Sequence, residues 1–156
     1  MNKEIERKFL IKGNFKPLAI KSYKIAQGFL STVPERTVRV RVKGDKGFIT
    51  VKGIGNDSGT TRFEWEKEIS LEDAENLLSI CEPSIIEKVR YIIPADNNLF
   101  YEVDEFFGDN TGLFIAEIEL PTEDFHFLKP NWLGNEVTGK PEYYNSVLSK
   151  KPFSKW

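Results

Sequence analysis

The feature that most constrains this chain is a period of two in its charges. In segment after segment an ionic residue occupies every second position, and an apolar one sits between. An extended strand sends alternate side chains to opposite faces, so this spacing is the mark of strands with one ionic face. Glu4, Glu6 and Lys8 share a face, with Ile5, Arg7 and Phe9 opposite. Arg39, Arg41 and Lys43 alternate with Val38, Val40 and Val42. Thr50 and Lys52 lie opposite Ile49 and Val51, and Glu64, Glu66 and Glu68 opposite Phe63, Trp65 and Ile69. Lys88 and Arg90 face away from Val89 and Tyr91, Glu102 and Asp104 from Tyr101 and Val103, and Glu117 and Glu119 from Ala116, Ile118 and Leu120.

The pattern predicts eight strands, near 2–12, 21–31, 36–43, 46–53, 61–70, 84–94, 98–107 and 112–121. Turn residues join them: Gly44-Asp45-Lys46-Gly47, the longer Gly53 to Gly59 loop, Asp96-Asn97-Asn98 and Gly108-Asp109-Asn110. Helices are few. Ser70 with Asp73 three residues on forms a capping pattern ahead of Leu71, Ala74, Leu77 and Leu78. A second helix is expected from Pro141 to about Lys150, with Tyr144, Val147 and Leu148 as its apolar face. Nothing in the 156 residues marks a linker or a repeat, so the expectation is one domain spanning 1–156. An antiparallel sheet of eight strands would expose two long edges unless it closed. The expected fold is therefore mainly β (α+β): a closed eight-stranded antiparallel barrel with a few flanking helices.

Ordinary solvent faces mix Thr, Ser, Gln and Asn with charges, whereas these faces are almost purely Arg, Lys, Glu and Asp. The reading adopted is that they line the barrel interior and that the apolar faces point outward, under helices and loops. Unpaired buried ions cost several kcal/mol each, so such a lining must be hydrated, internally paired or completed by a charged ligand. Six cations (Lys8, Arg39, Arg41, Lys52, Lys88, Arg90) stand against eight acids (Glu4, Glu6, Glu64, Glu66, Glu102, Asp104, Glu117, Glu119). Arginine forks onto phosphate oxygens, and the carboxylates beside it would repel the same polyanion. A divalent cation held by the carboxylates and bridging to phosphate resolves the conflict. Hard oxygen donors favour Mg²⁺ or Mn²⁺ over softer metals.

The rest of the composition narrows the field. With 22 basic and 24 acidic residues the net charge is -2, which argues against a nucleic-acid-coating protein. No run approaches the roughly 18 apolar residues of a membrane helix, and a charged start from Met1 to Lys8 is unlike a secretory leader. One cysteine, Cys81, and one histidine, His126, leave no intrachain disulfide and no Cys- or His-based metal cluster. A cytoplasmic location follows as the expectation. Asn56-Asp57-Ser58 is read as turn chemistry, and His126 and Cys81 as packing or cover residues. Trp132 and Trp156 are read as packing residues that cover one mouth of the barrel.

The ordered motifs carry a resemblance. Glu4-Ile5-Glu6-Arg7-Lys8, Gln27-Gly28-Phe29-Leu30, Arg39-x-Arg41, Thr50-Val51-Lys52, Glu64-x-Glu66, Glu87-Lys88-Val89-Arg90-Tyr91, Glu102-Val103-Asp104-x-Phe106 and Glu117-Ile118-Glu119 follow one another in the chain. Trp132 to Thr138, then Tyr144-Asn145-x-x-Leu148, complete the set. Together they resemble the CYTH superfamily, or triphosphate tunnel metalloenzymes, over nearly the whole chain, and the small bacterial members in particular. The resemblance implies a tunnel that binds a triphosphate and one or two divalent ions. It implies phosphate contacts from Lys8, Arg39, Arg41, Lys52, Lys88 and Arg90. Metal ligation is implied for Glu4, Glu6, Asp104, Glu117 and Glu119, with Glu64 and Glu66 as a second acidic pair. Lys88 is the candidate for orienting or deprotonating the attacking water, or else for plain phosphate binding. Phe29 stands where several relatives carry tyrosine, and Tyr23 is the substitute candidate on the same face. The leading reading is an Mg²⁺- or Mn²⁺-dependent triphosphatase acting on inorganic tripolyphosphate. The alternatives are an adenylyl cyclase of the class IV type and a binding module without turnover. The expected partner is a small triphosphate, not nucleic acid or membrane, and a homodimer is allowed.

Overall fold

The structure, a computed structural model, describes residues 3–156; the expected start of the first strand at residue 2 lies outside them. Eight strands form as the alternation requires: β1 (Lys3–Ile11), β2 (Lys21–Ser31), β3 (Thr37–Lys43), β4 (Lys46–Lys52), β5 (Thr61–Ile69), β6 (Ile86–Pro94), β7 (Phe100–Phe106) and β8 (Phe114–Glu119). Their order is β5-β4-β3-β2-β6-β7-β8-β1, and β1 returns to β5, which closes the barrel. Every pairing is antiparallel. Closure depends on β1 changing partners: Lys3, Glu4 and Ile5 pair with β5, and Glu6 to Leu10 with β8. The β3–β4 hairpin turns through two residues, with Gly44 at φ 61 as such a turn demands.

A ninth strand, β9 (Leu133–Glu136), adds to the outside of β1 and was not expected. It is only four residues long and contains Gly134. A Cβ there would stand 2.9 Å from the Leu10 carbonyl oxygen, so glycine is what lets the two backbones approach.

The apolar residues divide into two cores. The larger lies outside the barrel wall, as expected: Phe9, Tyr101, Val103, Ala116 and Ile118 pack under Phe15, Trp132 and Leu133 from the flanking loops. Trp132 meets Tyr101 edge-on at 5.0 Å. It therefore belongs to this outer layer and covers no mouth. The second core is inside. Phe29, Ile86, Phe106 and Ile115 continue the inward faces of β2, β6, β7 and β8, and with Leu113 and Leu148 they form an apolar stopper at one end of the lumen. The charged faces line the interior as expected, and one end of it is in addition apolar.

Helix α1 (Leu71–Leu78) begins as its capping pattern requires, with the Ser70 hydroxyl accepting from the Asp73 N–H at 3.0 Å. It lies across β3 and β4 with Ala74 fully buried. The second helix is shorter than expected. A single 3-10 turn (Pro141–Tyr143) is followed by α2 (Asn145–Leu148), and between them Tyr144 is extended, at φ -70 and ψ 135. The break turns the Tyr144 ring into the barrel, 5.0 Å from the Lys8 ammonium. Trp156 stacks edge-on against Tyr143 and Phe153 behind this segment. Among the described residues no helix is long and apolar enough to cross a membrane.

Candidate functional site

Strand order sorts the inward charges by sign. From β4 through β3 and β2 to β6 they are basic: Lys52, then Arg39, Arg41 and Lys43, then Lys88 and Arg90. From β7 through β8 and β1 to β5 they are mostly acidic: Glu102, Glu117 and Glu119, Glu4 and Glu6, Glu64 and Glu66. Lys8 on β1 and Arg62 on β5 are the cations of the acidic half. Between the halves lies a cavity of about 270 Å³, lined by eight basic and seven acidic side chains. It stands at the small end of ligand cavities, enough for a compact polyanion and little else. The expected balance of six cations to eight acids shifts because Lys43 and Arg62 join the lining and Asp104 does not.

The basic half is held in place by a few carboxylates. Asp104 takes the Arg90 fork through both oxygens, at 2.8 and 3.0 Å, and meets Lys88 Nζ at 2.8 Å. It is 1% exposed and does not reach the cavity surface. Its oxygens are thus committed to cations, which places it apart from the other expected metal ligands. Glu66 plays the same part on β5, 3.6 Å from Arg39 and 3.5 Å from Arg41, and it accepts from the Thr50 hydroxyl at 2.7 Å. Glu102 meets Arg90 at 3.3 Å. Even so, the Nε–H groups of Arg39 and Arg41 are buried without an acceptor. Such donors are costly unless a ligand supplies the missing oxygen. Burial and the neighbouring Arg41 and Arg90 push Arg39 down to about 10, and burial also lowers Arg41 and Lys52. For Lys88 burial outweighs Asp104 and brings the amine down to about 8. Burial is the largest cause of each of these shifts, whereas Asp104 and Glu102 outweigh burial at Arg90 and hold it well above its ordinary value.

The acidic half shows the opposite deficit. Burial, with Glu117 and Glu4 beside it, raises the Glu6 carboxyl well above the usual range. Burial and a hydrogen bond to Glu4 raise Glu64 to about 7. Burial, Glu4 and Glu102 raise Glu119. Burial opposes the charged forms of Glu4 and Glu117, yet Lys52 holds Glu4 low, and Lys8 with Arg90 holds Glu117 low. Glu4 with Glu64 and Glu6 with Glu117 thus form two carboxyl pairs, in each of which one member is held low and the other is raised. Lys52 lies 3.3 Å from Glu4, and Lys8 lies 3.8 Å from both Glu6 and Glu117. Paired carboxyls of which one is raised are oxygens whose repulsion a hard divalent cation can relieve. Among the described residues no three acidic groups already form a cage. That suits Mg²⁺ or Mn²⁺, which take one or two carboxylates and fill the remaining positions with water and phosphate oxygens. The residues present fit such an ion.

Arg62, Tyr144, Asn145 and Gln27 were missed as site residues. Arg62 lies 3.6 Å from Glu4 and shares its face with Glu64, so the two-residue period already marked it. Tyr144 and Asn145 arrive from the far end of the chain. The Asn145 side-chain oxygen accepts from Lys88 Nζ at 2.8 Å and from Gln27 Nε2 at 2.6 Å. Phe29 lines the cavity on one side and joins the apolar stopper on the other. Tyr23 pairs across β2 with Arg90 and opens onto the other mouth, with the Lys43 ammonium 4.8 Å above its ring. Tyr23 stands there beside Ile92, Leu99 and Phe100, away from Lys88.

Three comparisons agree with this geometry. Residues 2–151 match the model of the CYTH domain. The chain is 48% identical over 155 residues to an inorganic triphosphatase of Acetivibrio thermocellus, covering 98% of this chain and 97% of that protein. It is 34% identical over 149 residues to an inorganic triphosphatase of Nitrosomonas europaea, covering 94% and 96%. Among solved structures, that of an inorganic triphosphatase superposes with a TM-score of 0.63 at 30% identity, over 96% of this chain and 95% of that one. A Hippeastrum protein named for adenylyl cyclase, with a dominant triphosphatase activity, superposes at 0.61 and 16% identity, over 76% and 80% of the two chains, and shares the fold.

Proposed function

The chain belongs to the CYTH domain family, and from that membership we infer that it is a metal-dependent triphosphatase. It hydrolyses inorganic tripolyphosphate: one water adds across a phosphoric anhydride bond and releases pyrophosphate and orthophosphate. The observation that carries this reading is the division of the lumen into a basic half and an acidic half around a cavity of about 270 Å³. A neutral or singly charged ligand has no use for such a lining.

Phosphoryl transfer is catalysed mainly by positioning and by electrostatic stabilisation of spread negative charge. Arg39, Arg41, Lys52, Lys88, Arg90 and Lys8 supply that charge and grip the phosphate oxygens. The unpartnered Arg39 and Arg41 N–H groups gain their acceptors in the bound state. Glu4, Glu6, Glu64, Glu117 and Glu119 hold the divalent ion, Mg²⁺ or Mn²⁺, as one or two per tunnel. When bound, the ion neutralises phosphate charge and polarises the bond to be broken. Asp104 and Glu66 serve as clamps that keep arginine and lysine extended into the lumen. Lys88 orients the attacking water or grips a phosphate oxygen. The apolar stopper covers the β2, β6, β7 and β8 side of one end, so substrate reaches the lumen beside Tyr23 or through the opening beside Ile54 and Tyr144. The lone Cys81 suits a reducing compartment, the cytoplasm.

Product analysis with tripolyphosphate, ATP and thiamine triphosphate tests the reading, each with Mg²⁺, Mn²⁺ or EDTA. Metal-dependent orthophosphate release, chiefly from tripolyphosphate, abolished by Glu4→Gln and strongly reduced by Arg41→Ala at substrate levels that saturate the wild type, is the expected result. Cyclic AMP and pyrophosphate from ATP would move the assignment to a cyclase. Tripolyphosphate bound without turnover would leave a binding module.

A further inference from the structure

Lys88 is the most completely enclosed amine of the lumen, 3% exposed. Two protein oxygens hold its Nζ at one distance: it donates to Asn145 Oδ1 at 2.8 Å and forms an ion pair with Asp104 Oδ2 at 2.8 Å. With the ammonium held from these two sides, its outward N–H is left a limited cone of directions. The Phe106 ring, 5.4 Å from Nζ, closes off part of the remaining space. Asp104 alone would leave the amine free to swing about a single contact. Asn145 removes that freedom.

The Asn145 amide is itself oriented. Its oxygen accepts a second hydrogen bond, from Gln27 Nε2 at 2.6 Å. Turning the amide over would set its NH₂ against an ammonium and another NH₂, so only one orientation satisfies both donors. Gln27 is fully buried on β2, and its partner reaches it across 118 residues of chain. The backbone that presents Asn145 is anchored one turn further on, where Leu148, 1% exposed, plugs the stopper between Phe29, Ile86, Phe106 and Ile115.

We propose that Asn145 is a positioning residue for the triphosphatase reaction: with Gln27 behind it, it fixes the direction of the outward Lys88 N–H toward the bound phosphate or water. The proposal rests on the triphosphatase reading for its kinetic part only. The placement of Lys88 can be observed without turnover.

The test combines kinetics with ¹⁵N–¹H spectroscopy of the Lys88 ammonium, whose resonance is assigned by its loss in Lys88→Arg. Asn145→Ala removes the acceptor. Asn145→Asp keeps an oxygen at the same reach. The expected kcat for Asn145→Ala falls by about 10- to 100-fold, the scale of a misplaced reacting group, with KM changed by less than about threefold. Asn145→Asp recovers most of the loss. The ammonium resonance shifts or broadens in the alanine variant and stays sharp in the aspartate one. If alanine fails to fold, Asn145→Ser, too short to span to Lys88, takes its place. Alanine and aspartate variants that lose activity equally, or an undisturbed resonance and kcat in the alanine variant, would overturn the proposal. An inactive wild type would sink the triphosphatase reading, while the resonance would still decide whether Asn145 places Lys88.

Discussion

Asp104 shows what a single carboxylate does in this lumen. It is enclosed with Lys88 and Arg90, each contact is 3.0 Å or shorter, and burial alone would favour its neutral form. The two cations reverse that preference and hold it ionised. Removing one partner of such a group strands the others without a counter-charge. Asp104→Asn should therefore cost about 3–5 kcal/mol in urea denaturation, far more than loss of an exposed pair. Outside the barrel, Glu136 receives the Arg7 fork at 2.6 and 2.8 Å, and that hydrogen bonding holds its carboxyl below the usual carboxylate range. A depressed carboxyl stabilises the fold above its ordinary pKa and loses that contribution as pH falls through its folded value. Glu136→Gln should lower the urea midpoint at pH 7, and the gap from wild type should close below about pH 4. A gap independent of pH would place the effect in packing.

At the scale of elements, the glycines set how closely strands and helices approach. A Cβ on Gly47 would come within 2.5 Å of the Ala74 Cβ, where α1 lies on the barrel wall. Gly47→Ala must push the helix outward and should cost about 1–3 kcal/mol by thermal or urea unfolding, and Ala74→Gly in the same chain should return part of it. The eight barrel strands and α1 were legible because each carries a repeating signal: alternate charges in the strands, a capping serine and an apolar stripe in the helix. β9 was not, since four residues around a glycine are too few to show a period. The Pro141–Lys150 segment reads as one helix by its pattern, yet it breaks at Tyr144. Its register is set by partners distant in the chain, Lys8 under the ring and Lys88 with Gln27 at the next residue. The same reason hid Asn145 and Gln27 from the sequence, because a neutral amide leaves no mark in a charge pattern. Arg62 had left such a mark. The inward position of Phe29, Ile86, Phe106 and Ile115 was also visible in the period of two, but apolar residues on an ionic face are read as core only once the stopper is known.

The whole molecule keeps two incomplete half-shells of charge apart in one barrel. On β3 the Nε–H groups of Arg39 and Arg41 are buried without an acceptor, and on β1 and β5 burial and neighbouring carboxylates raise Glu6 and Glu64. A ligand that completes both halves binds only the closed barrel and must raise its stability. Tripolyphosphate with Mg²⁺ at about 100 times its Kd should stabilise the fold by about 2.7 kcal/mol, seen as a higher thermal midpoint, whereas either component alone should give less. The central claim is that the two halves do different work. It is tested most directly by cross-rescue: turnover of tripolyphosphate by Arg41→Ala and by Glu117→Gln, each titrated separately with substrate and with Mg²⁺. The account predicts that excess tripolyphosphate restores the arginine variant in part and excess Mg²⁺ does not, while the glutamate variant answers to Mg²⁺ and not to substrate. Two variants rescued alike by the same component would contradict it.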